Sequence, residues 1–415
     1  MNLIKTSIYS SISQAIRIAT AFIVNKMVAI FIGPSGLAIL GNFQNTLNIL
    51  SGLSTGAINS GVVKYTAEYA NDPVNLKKLF STSLRIVFMS SLIVSLITIF
   101  LSNYLSHKIL HSTTYAWLFL LFGVSVFFYS SNTILLSVLN GKKEIRKFTI
   151  VNISSSILSL LLTSTLIYYK QLTGALFSLV IAQSCFFFIT FFVISRCSWF
   201  SLSLFTKKIS RPVIKNLSRF SAMGITSAIM VPLSLLFIRN LLISQVSADA
   251  AGYWEGITRI SSNYLMLVTT TLSIYYLPKL SETHNPAELR GEIWNGYKII
   301  MPIVIIGAAA VYIFRVFIIH LLFSHRFGPM EPLFLFQLVG DILKIASWLL
   351  AFLMLAKAMA RMYIITEIIF NSTYVLLSWV FVHFYGLVGV TYAYATNYLL
   401  YFTTCYLLLR RKLRE

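Results

Sequence analysis

The sequence predicts an all-α membrane protein: twelve transmembrane helices in two six-helix lobes, related by pseudo-two-fold symmetry around a central cavity. Three observations predict it. Only 11% of the 415 residues are charged and 57% are hydrophobic, against about 25% and 45–50% in soluble domains. The apolar residues run in continuous blocks of about 20, the length that crosses ~30 Å of hydrocarbon as a helix. The chain also repeats itself at an offset of 213 residues, with Pro73-Val-Asn-Leu-Lys77 answered by Pro286-Ala-Glu-Leu-Arg290. The composition excludes a soluble enzyme, a disordered chain and a single-span receptor. An outer-membrane barrel would alternate over segments of about ten residues instead.

The twelve spans lie near 8–32, 37–62, 83–105, 115–139, 148–169, 174–196, 217–241, 251–277, 296–319, 331–356, 361–383 and 387–409. Gly33-Pro34 separates the first two, Gly328-Pro329 precedes the tenth and Gly386 opens the last connection, all ordinary turn signals. The N-terminal segment carries Lys5, Gln14, Arg17, Asn25 and Lys26. It lacks the short apolar core and small-residue cleavage site of a signal peptide, so it reads as a span that stays.

Loop charge sets the orientation. With both termini in the cytoplasm, 24 of the 33 Lys and Arg residues fall on the inner side. The outer loops and their edges hold four: Lys108, Lys170, Arg315 and Arg326. That bias is the positive-inside pattern. It accounts for the net charge of +21 without a nucleic-acid partner. Cys185, Cys197 and Cys405 form no CxxC, and the six histidines show no zinc-ligand spacing, so neither a disulfide nor a metal or other cofactor is expected.

The repeat extends beyond the proline motifs. Arg85 matches Lys298 and Lys26 matches Arg239 at the same offset, and Gly36 answers Gly252 at a slightly larger one. Six spans per half keep both halves in the same orientation, the arrangement of parallel repeats that enclose a cavity. The expected lobes are 1–207 and 208–415, joined by a basic linker near 197–216.

Eight ionisable residues lie in or near spans: Arg17, Lys26, Arg239, Glu255, Arg259, Asp341, Lys344 and Glu367. Each opposes insertion by roughly 2.5–3.5 kcal/mol, so they must face water or one another. Five are basic and three acidic, a balance that suits an anionic substrate. Glu255 and Arg259 are i,i+4 and Asp341 and Lys344 are i,i+3, so each pair can neutralise itself on one helix face. Arg17 and Lys26 are nine residues apart, on opposite faces of a straight helix. Lys26 and Arg239 lie where they can snorkel to the interface. Arg17 is the leading candidate for a ligand contact. The second span is unusually polar, with Asn42, Gln44, Asn45, Asn48 and Thr55. Asn45, Asn48 and Thr55 form one stripe that can bind sugar hydroxyls or serve helix packing. Tyr253, Trp254 and Tyr264 can stack on sugars or fill the core.

Phe31-Ile-Gly-Pro-Ser-Gly-Leu37, Gly41-Asn-Phe-Gln44, Val63-Lys-Tyr65 with Glu68, Tyr276-Leu-Pro-Lys-Leu-Ser281, Phe336-Gln-Leu-Val-Gly-Asp341 with Lys344, and Leu355-Ala-Lys357 carry a family likeness. Along essentially its whole length the chain resembles the lipid-linked oligosaccharide flippases of O-antigen and enterobacterial common antigen. These belong to the multidrug/oligosaccharidyl-lipid/polysaccharide exporter superfamily. The resemblance implies a non-enzymatic protein of the bacterial inner membrane. It would move undecaprenyl-pyrophosphate-linked repeat units from the cytoplasmic to the periplasmic leaflet, by alternating access through a cationic cavity. Spans one, two, seven and eight would line that cavity. The expected substrate contacts are then Arg17, Lys26, Asn42, Gln44, Asn45, Asn48, Arg239 and Arg259. The expected ion-coupling carboxylates are Glu255, Asp341 and Glu367. Expected partners are the lipid-linked oligosaccharide, the bilayer, and the polymerase and chain-length regulator of the same pathway. Three other readings stand beside this one: a multidrug/cation antiporter of the same superfamily, disfavoured by a positive cavity; a lipid II flippase, which usually has two additional spans; and a membrane enzyme such as an O-antigen polymerase or acyltransferase, disfavoured by short outer loops.

Overall fold

The computed structural model describes residues 3–414 apart from 198, 202–209, 284 and 358. The expected lobe boundary at 207/208, with Lys207 and Lys208 of the linker, lies outside the described residues. All regular structure among the described residues is helical. In chain order the helices are α1 (Leu3–Phe31), α2 (Gly33–Ser54), α3 (Asn59–Glu68), α4 (Pro73–Phe100), α5 (Ser102–Leu110), α6 (Ala116–Gly141), α7 (Ile145–Ser195) and α8 (Arg211–Gln245). There follow α9 (Ala248–Thr271), α10 (Leu277–Glu282), α11 (Pro286–Ile313), α12 (Arg315–Leu322), α13 (Phe334–Ala356), α14 (Ala360–Tyr385) and α15 (Gly389–Arg414).

These helices supply the twelve expected spans. α7 is two of them, because Gln171 leaves helical geometry (φ 46°, ψ −123°). Three residues on, a Cβ at Gly174 would lie 1.9 Å from the Leu166 carbonyl oxygen, so only glycine lets the chain fold back this closely. Among the described residues, ten spans lie within eight continuous apolar stretches, two of which, Ile145–Ser195 and Ala360–Leu409, hold two spans each. The remaining two, α2 and α9, are too polar to qualify, and they are the second span of each half. Both exceptions carry the residues expected at the site.

The repeat is visible in local geometry. α4 and α11 are both 28 residues long, and each begins with a proline behind a side-chain cap. Asp72 accepts from the Val74 and Asn75 amides, and Asn285 accepts from the Ala287 amide. Such caps satisfy amides that the first turn leaves orphaned. At the far ends Leu101 (φ −94°, ψ 10°) and Phe314 (φ −90°, ψ 11°) donate to the carbonyls of Ile97 and Ala310. A short helix then follows in each half, α5 and α12. From sequence alone these short helices, with α3 and α10, fall across the ends of expected spans and the loops that follow them.

The chain divides into two compact units, one of 1–31 and 39–233, the other of 32–38 and 234–415. α8 passes from one to the other a residue after Pro232, which lacks the amide a helix interior needs. In the first unit Ile58, Val62, Leu79, Phe80, Ile134, Val138 and Leu217 form a core. In the second, Leu265, Leu272, Leu280, Ile345, Leu349, Met354 and Cys405 do so. The segment 32–38 is held in the second unit by the Ser35 amide, which donates to Asp249 Oδ1 at 3.0 Å. It is also held by a contact so close that a Cβ at Gly252 would sit 1.9 Å from the Pro34 oxygen.

Candidate functional site

In the first unit, α1 has two exposed aspects of different chemistry. Ile12, Ala15, Ala19, Ile23 and Ile30 recur at three-, four- and seven-residue spacing and are exposed, an apolar ridge suited to lipid. Arg17 is also exposed, but it lies about 140° round the helix from Ile12. Its neighbours one and two turns away on that mostly polar side are Ser13, Gln14, Thr20, Ala21 and Val24, and the Thr20 hydroxyl donates to the Arg17 carbonyl at 3.0 Å. The guanidinium is exposed on this side, away from the lipid ridge. Lys26 is half-buried and falls about 40° from Ile12, so the opposite-face relation of the two cations holds in the unbroken α1.

α2 separates its amides. Gln44 and Asn48, one turn apart, are exposed, whereas Asn42 and Asn45 are buried. Asn45 Nδ2 has no protein partner. Thr55 is buried, its hydroxyl donating to the Gly52 carbonyl at 3.0 Å. The expected stripe of Asn45, Asn48 and Thr55 therefore presents Asn48 alone, with Gln44 beside it.

In the second unit, the α8–α9 hairpin makes a compact ionic cluster. Arg239 stands seven residues before Val246 and Glu255 eight residues after Ser247, so the hairpin sets them side by side. Arg239 Nη2 donates to Glu255 Oε2, and Arg259 Nε donates to Glu255 Oε1 at 2.8 Å. The side chains are 2%, 9% and 20% exposed for Arg239, Glu255 and Arg259. The Arg239 guanidinium also lies over the Trp254 ring, 5.5 Å from its centroid. Trp254 is buried, so it belongs to the core and not to a sugar platform. Tyr253 packs edge-on against Phe327. The cluster holds two cations and one anion, a net charge of one positive, and Arg259 is its most exposed member.

A second polar group sits deeper in this unit. Asp341 is fully buried and accepts from the Tyr264 hydroxyl at 2.8 Å and the Tyr394 hydroxyl at 2.9 Å. One turn earlier Gln337 Nε2 donates to Ser261 Oγ at 3.2 Å, and Gln337 Oε1 is buried without a protein partner. Lys344 does not pair with Asp341 within 4.0 Å, contrary to the local ion pair that their spacing allows. Its Nζ lies instead over the rings of Trp348 and Tyr398, 5.1 and 5.7 Å from their centroids. Tyr264, offered by sequence as a stacking residue, is a hydrogen-bond donor. Glu367 is half-buried in α14, where its carbonyl accepts from Asn371 Nδ2 and Asn371 Oδ1 accepts from the Ser234 hydroxyl.

The structure thus joins Arg239, Glu255 and Arg259 in one cluster. Asp341 forms a second group with residues that sequence reasoning passed over: Ser261, Gln337, Tyr394 and Tyr398. A signal was present, since Gln337, Asp341 and Lys344 recur at i, i+4, i+7, and so do Tyr394, Tyr398 and Tyr401. Among the described residues no group of three or more His, Cys, Asp or Glu side chains could hold a metal ion.

Residues 3–284 match the family model described as polysaccharide biosynthesis protein. Over 419 aligned positions, which take in 99% of this chain and 100% of the relative, the sequence is 29% identical to the lipid III flippase of Escherichia coli (strain K12). The same figures hold for the lipid III flippase of Shigella flexneri. Among solved structures the fold is similar to an inward-facing multidrug resistance MATE family transporter of the MOP superfamily, with TM-score 0.78, 15% identity and coverage of 99% and 98% of the two chains. An outward-facing MATE family transporter gives TM-score 0.74, 17% identity and coverage of 99% and 96%. These likenesses fix the fold: twelve membrane-spanning helices, six in each half. Its relatives are flippases and transporters, and the chain is not an enzyme.

Proposed function

The chain belongs to the polysaccharide biosynthesis protein family, and from that membership we propose that it is a flippase for undecaprenyl-pyrophosphate-linked O-antigen or common-antigen repeat units. It moves them from the cytoplasmic to the periplasmic leaflet of the bacterial inner membrane, with both of its termini cytoplasmic. The observation that carries this reading is the positive excess on the polar spans. Arg17 is exposed on the polar side of α1, and the Arg239–Glu255–Arg259 cluster keeps one net positive charge. The full-length likeness to lipid III flippases supports it.

No covalent bond changes in such a reaction. The barrier is the transfer of a diphosphate and a glycan across ~30 Å of hydrocarbon. A cationic, hydrated cavity lowers it by replacing water around the phosphates with charge-assisted hydrogen bonds. Arg17 and Arg259 are the proposed phosphate or acidic-sugar contacts, with Lys26 and Arg239 adding charge. Gln44 and Asn48 offer amides to sugar hydroxyls, and Asn42 and Asn45 support them from within the helix packing. Alternating access then opens the cavity to each leaflet in turn. Coupling to a proton or sodium gradient runs through Asp341 in first place, because two tyrosines and a serine–glutamine pair surround it. Glu255 and Glu367 are the other carboxylates on the spans. The polymerase and chain-length regulator of the same pathway are the proposed protein partners.

The test is a deletion strain and a reconstitution. Loss of the gene should leave lipid-linked repeat units on the cytoplasmic leaflet, and the purified protein in vesicles should move them across. A strain with normal surface polysaccharide, or vesicles that export a cationic drug and flip no lipid-linked glycan, overturns the reading.

A further inference from the structure

A cavity of about 520 Å³ opens on the second unit at the start of α14 and the end of α15. Met359, Met362, Ile365 and Leu408 make its apolar wall, with Thr366 at its side and Arg361 as its one charged group. The Thr366 hydroxyl is already engaged, donating to the carbonyls of Met362 and Tyr363 at 3.0 Å each. Among the lining side chains Arg361, which is exposed, is therefore the one donor not already engaged within its own helix. The nearest cation in sequence, Lys357, is turned to other work: its Nζ donates to the carbonyls of Ser281 and Thr283, at 3.3 and 2.6 Å. That bond also places the cavity at the α10 end of the unit, whereas Arg239, Glu255 and Arg259 stand toward the α8–α9 turn at the other end. The cavity is a site apart from the ionic cluster.

We propose that this cavity binds an anionic glycerophospholipid, its acyl chain against Met362, Ile365 and Leu408 and its phosphate on Arg361. Charge complementarity favours this occupant. No acidic residue lines the cavity, and Arg361 is its one charged group. An exposed arginine beside an apolar slot between membrane helices is the chemistry that selects anionic headgroups from a mixed leaflet. Two methionines in the wall let it adjust to a flexible chain. Placing the site in the inner leaflet rests on the orientation proposed above; the lipid contact does not.

Native mass spectrometry of the purified full chain tests it, after incubation with equimolar dioleoyl-phosphatidylglycerol and dioleoyl-phosphatidylethanolamine. The wild type should retain phosphatidylglycerol in preference. Arg361→Ala should lower that retention by about 10-fold or more, the effect of one charge-assisted hydrogen bond. Ile365→Trp, which fills the slot, should lower retention of both lipids; if it fails to elute as a folded monodisperse species, Leu408→Trp takes its place. Equal retention by wild type and Arg361→Ala overturns the proposal. So does loss of the preference only when Arg410, Arg411, Lys412 and Arg414 are neutralised, which would mean surface attraction to the tail. Displacement of the bound phosphatidylglycerol by equimolar undecaprenyl phosphate also overturns it, since the cavity would then serve an isoprenoid.

Discussion

Arg239 and Glu255, 16 residues apart, form an ion pair in which the guanidinium side chain is only 2% exposed. Arg259 takes the second oxygen of the same carboxylate. A buried guanidinium is tolerated only with its counterion in place, so Glu255 is first an anchor for two arginines.

Glu255→Gln should therefore destabilise the fold. Removing one member of a buried pair costs about 3–5 kcal/mol, because the other charge stays buried without compensation. The double change Arg239→Met with Glu255→Leu should recover much of that loss, since apolar replacement of a buried pair is often neutral. Thermal unfolding in detergent measures both. An unchanged midpoint for Glu255→Gln would show that the pair does not hold the hairpin.

Arg17 stands on the polar side of α1, opposite the isoleucine ridge. Arg17→Ala should lose most transport at normal protein level, by roughly 10–150-fold, the worth of one charge-assisted hydrogen bond. Arg17→Lys keeps the charge without the planar fork and should lose less. Flipping of lipid-linked repeat units in reconstituted vesicles reads this directly, and a wild-type rate for Arg17→Ala ends the assignment.

Asp341 and Lys344 answer to different partners, two tyrosine hydroxyls for one and two aromatic faces for the other. Exchanging them, Asp341→Lys with Lys344→Asp, puts an anion over the negative faces of Trp348 and Tyr398. The exchange should lower yield and stability sharply, where a self-contained ion pair would tolerate it. Tyr264→Phe and Tyr394→Phe should each reduce ion-driven transport in part, and the double variant more than either. Stability near wild type for the exchanged pair would mean that the two charges do compensate each other.

Asp72 caps α4 as Asn285 caps α11. Amides of Asn75 and Val74, with the Asn75 side chain, hold the Asp72 carboxyl below its ordinary value. Its folded-state pKa is depressed, so its contribution is complete above the ordinary carboxylate range near 3.9 and fades as pH falls through the lowered value. At neutral pH, Asp72→Asn should be nearly silent, because the second half uses that residue. Asp72→Ala should fray the first turn of α4, with faster amide exchange at Val74 and Asn75. Equal exchange in Asp72→Ala and wild type would remove the cap from the account.

Much of this architecture is legible in the sequence because insertion into hydrocarbon is a local demand. Each span has to be apolar over its own length, so twelve blocks can be read one at a time. The 213-residue offset is legible because the caps, prolines and basic ends that repeat are local too. The polar groups are not local. Spacing shows Glu255 beside Arg259 but gives no sign that Arg239 crosses a hairpin to the same carboxylate. It pairs Asp341 with Lys344, whereas the structure turns each toward α15, 53 and 54 residues downstream, at Tyr394 and Tyr398. Gln44 outranks Asn45 as a surface group only because α2 turns one to the open side and the other into its own packing.

The equal lengths of α4 and α11 have a consequence for the membrane itself. Each has 28 residues between its caps, a span of about 42 Å at ~1.5 Å per residue, close to the full depth of a bilayer with its headgroups. Two such rulers of identical length, one in each half, demand one bilayer thickness of both. A thinner membrane would have to be met by tilt or by local thickening, at fractions of a kcal/mol per Å. Activity in vesicles should accordingly pass through a maximum as acyl-chain length is varied.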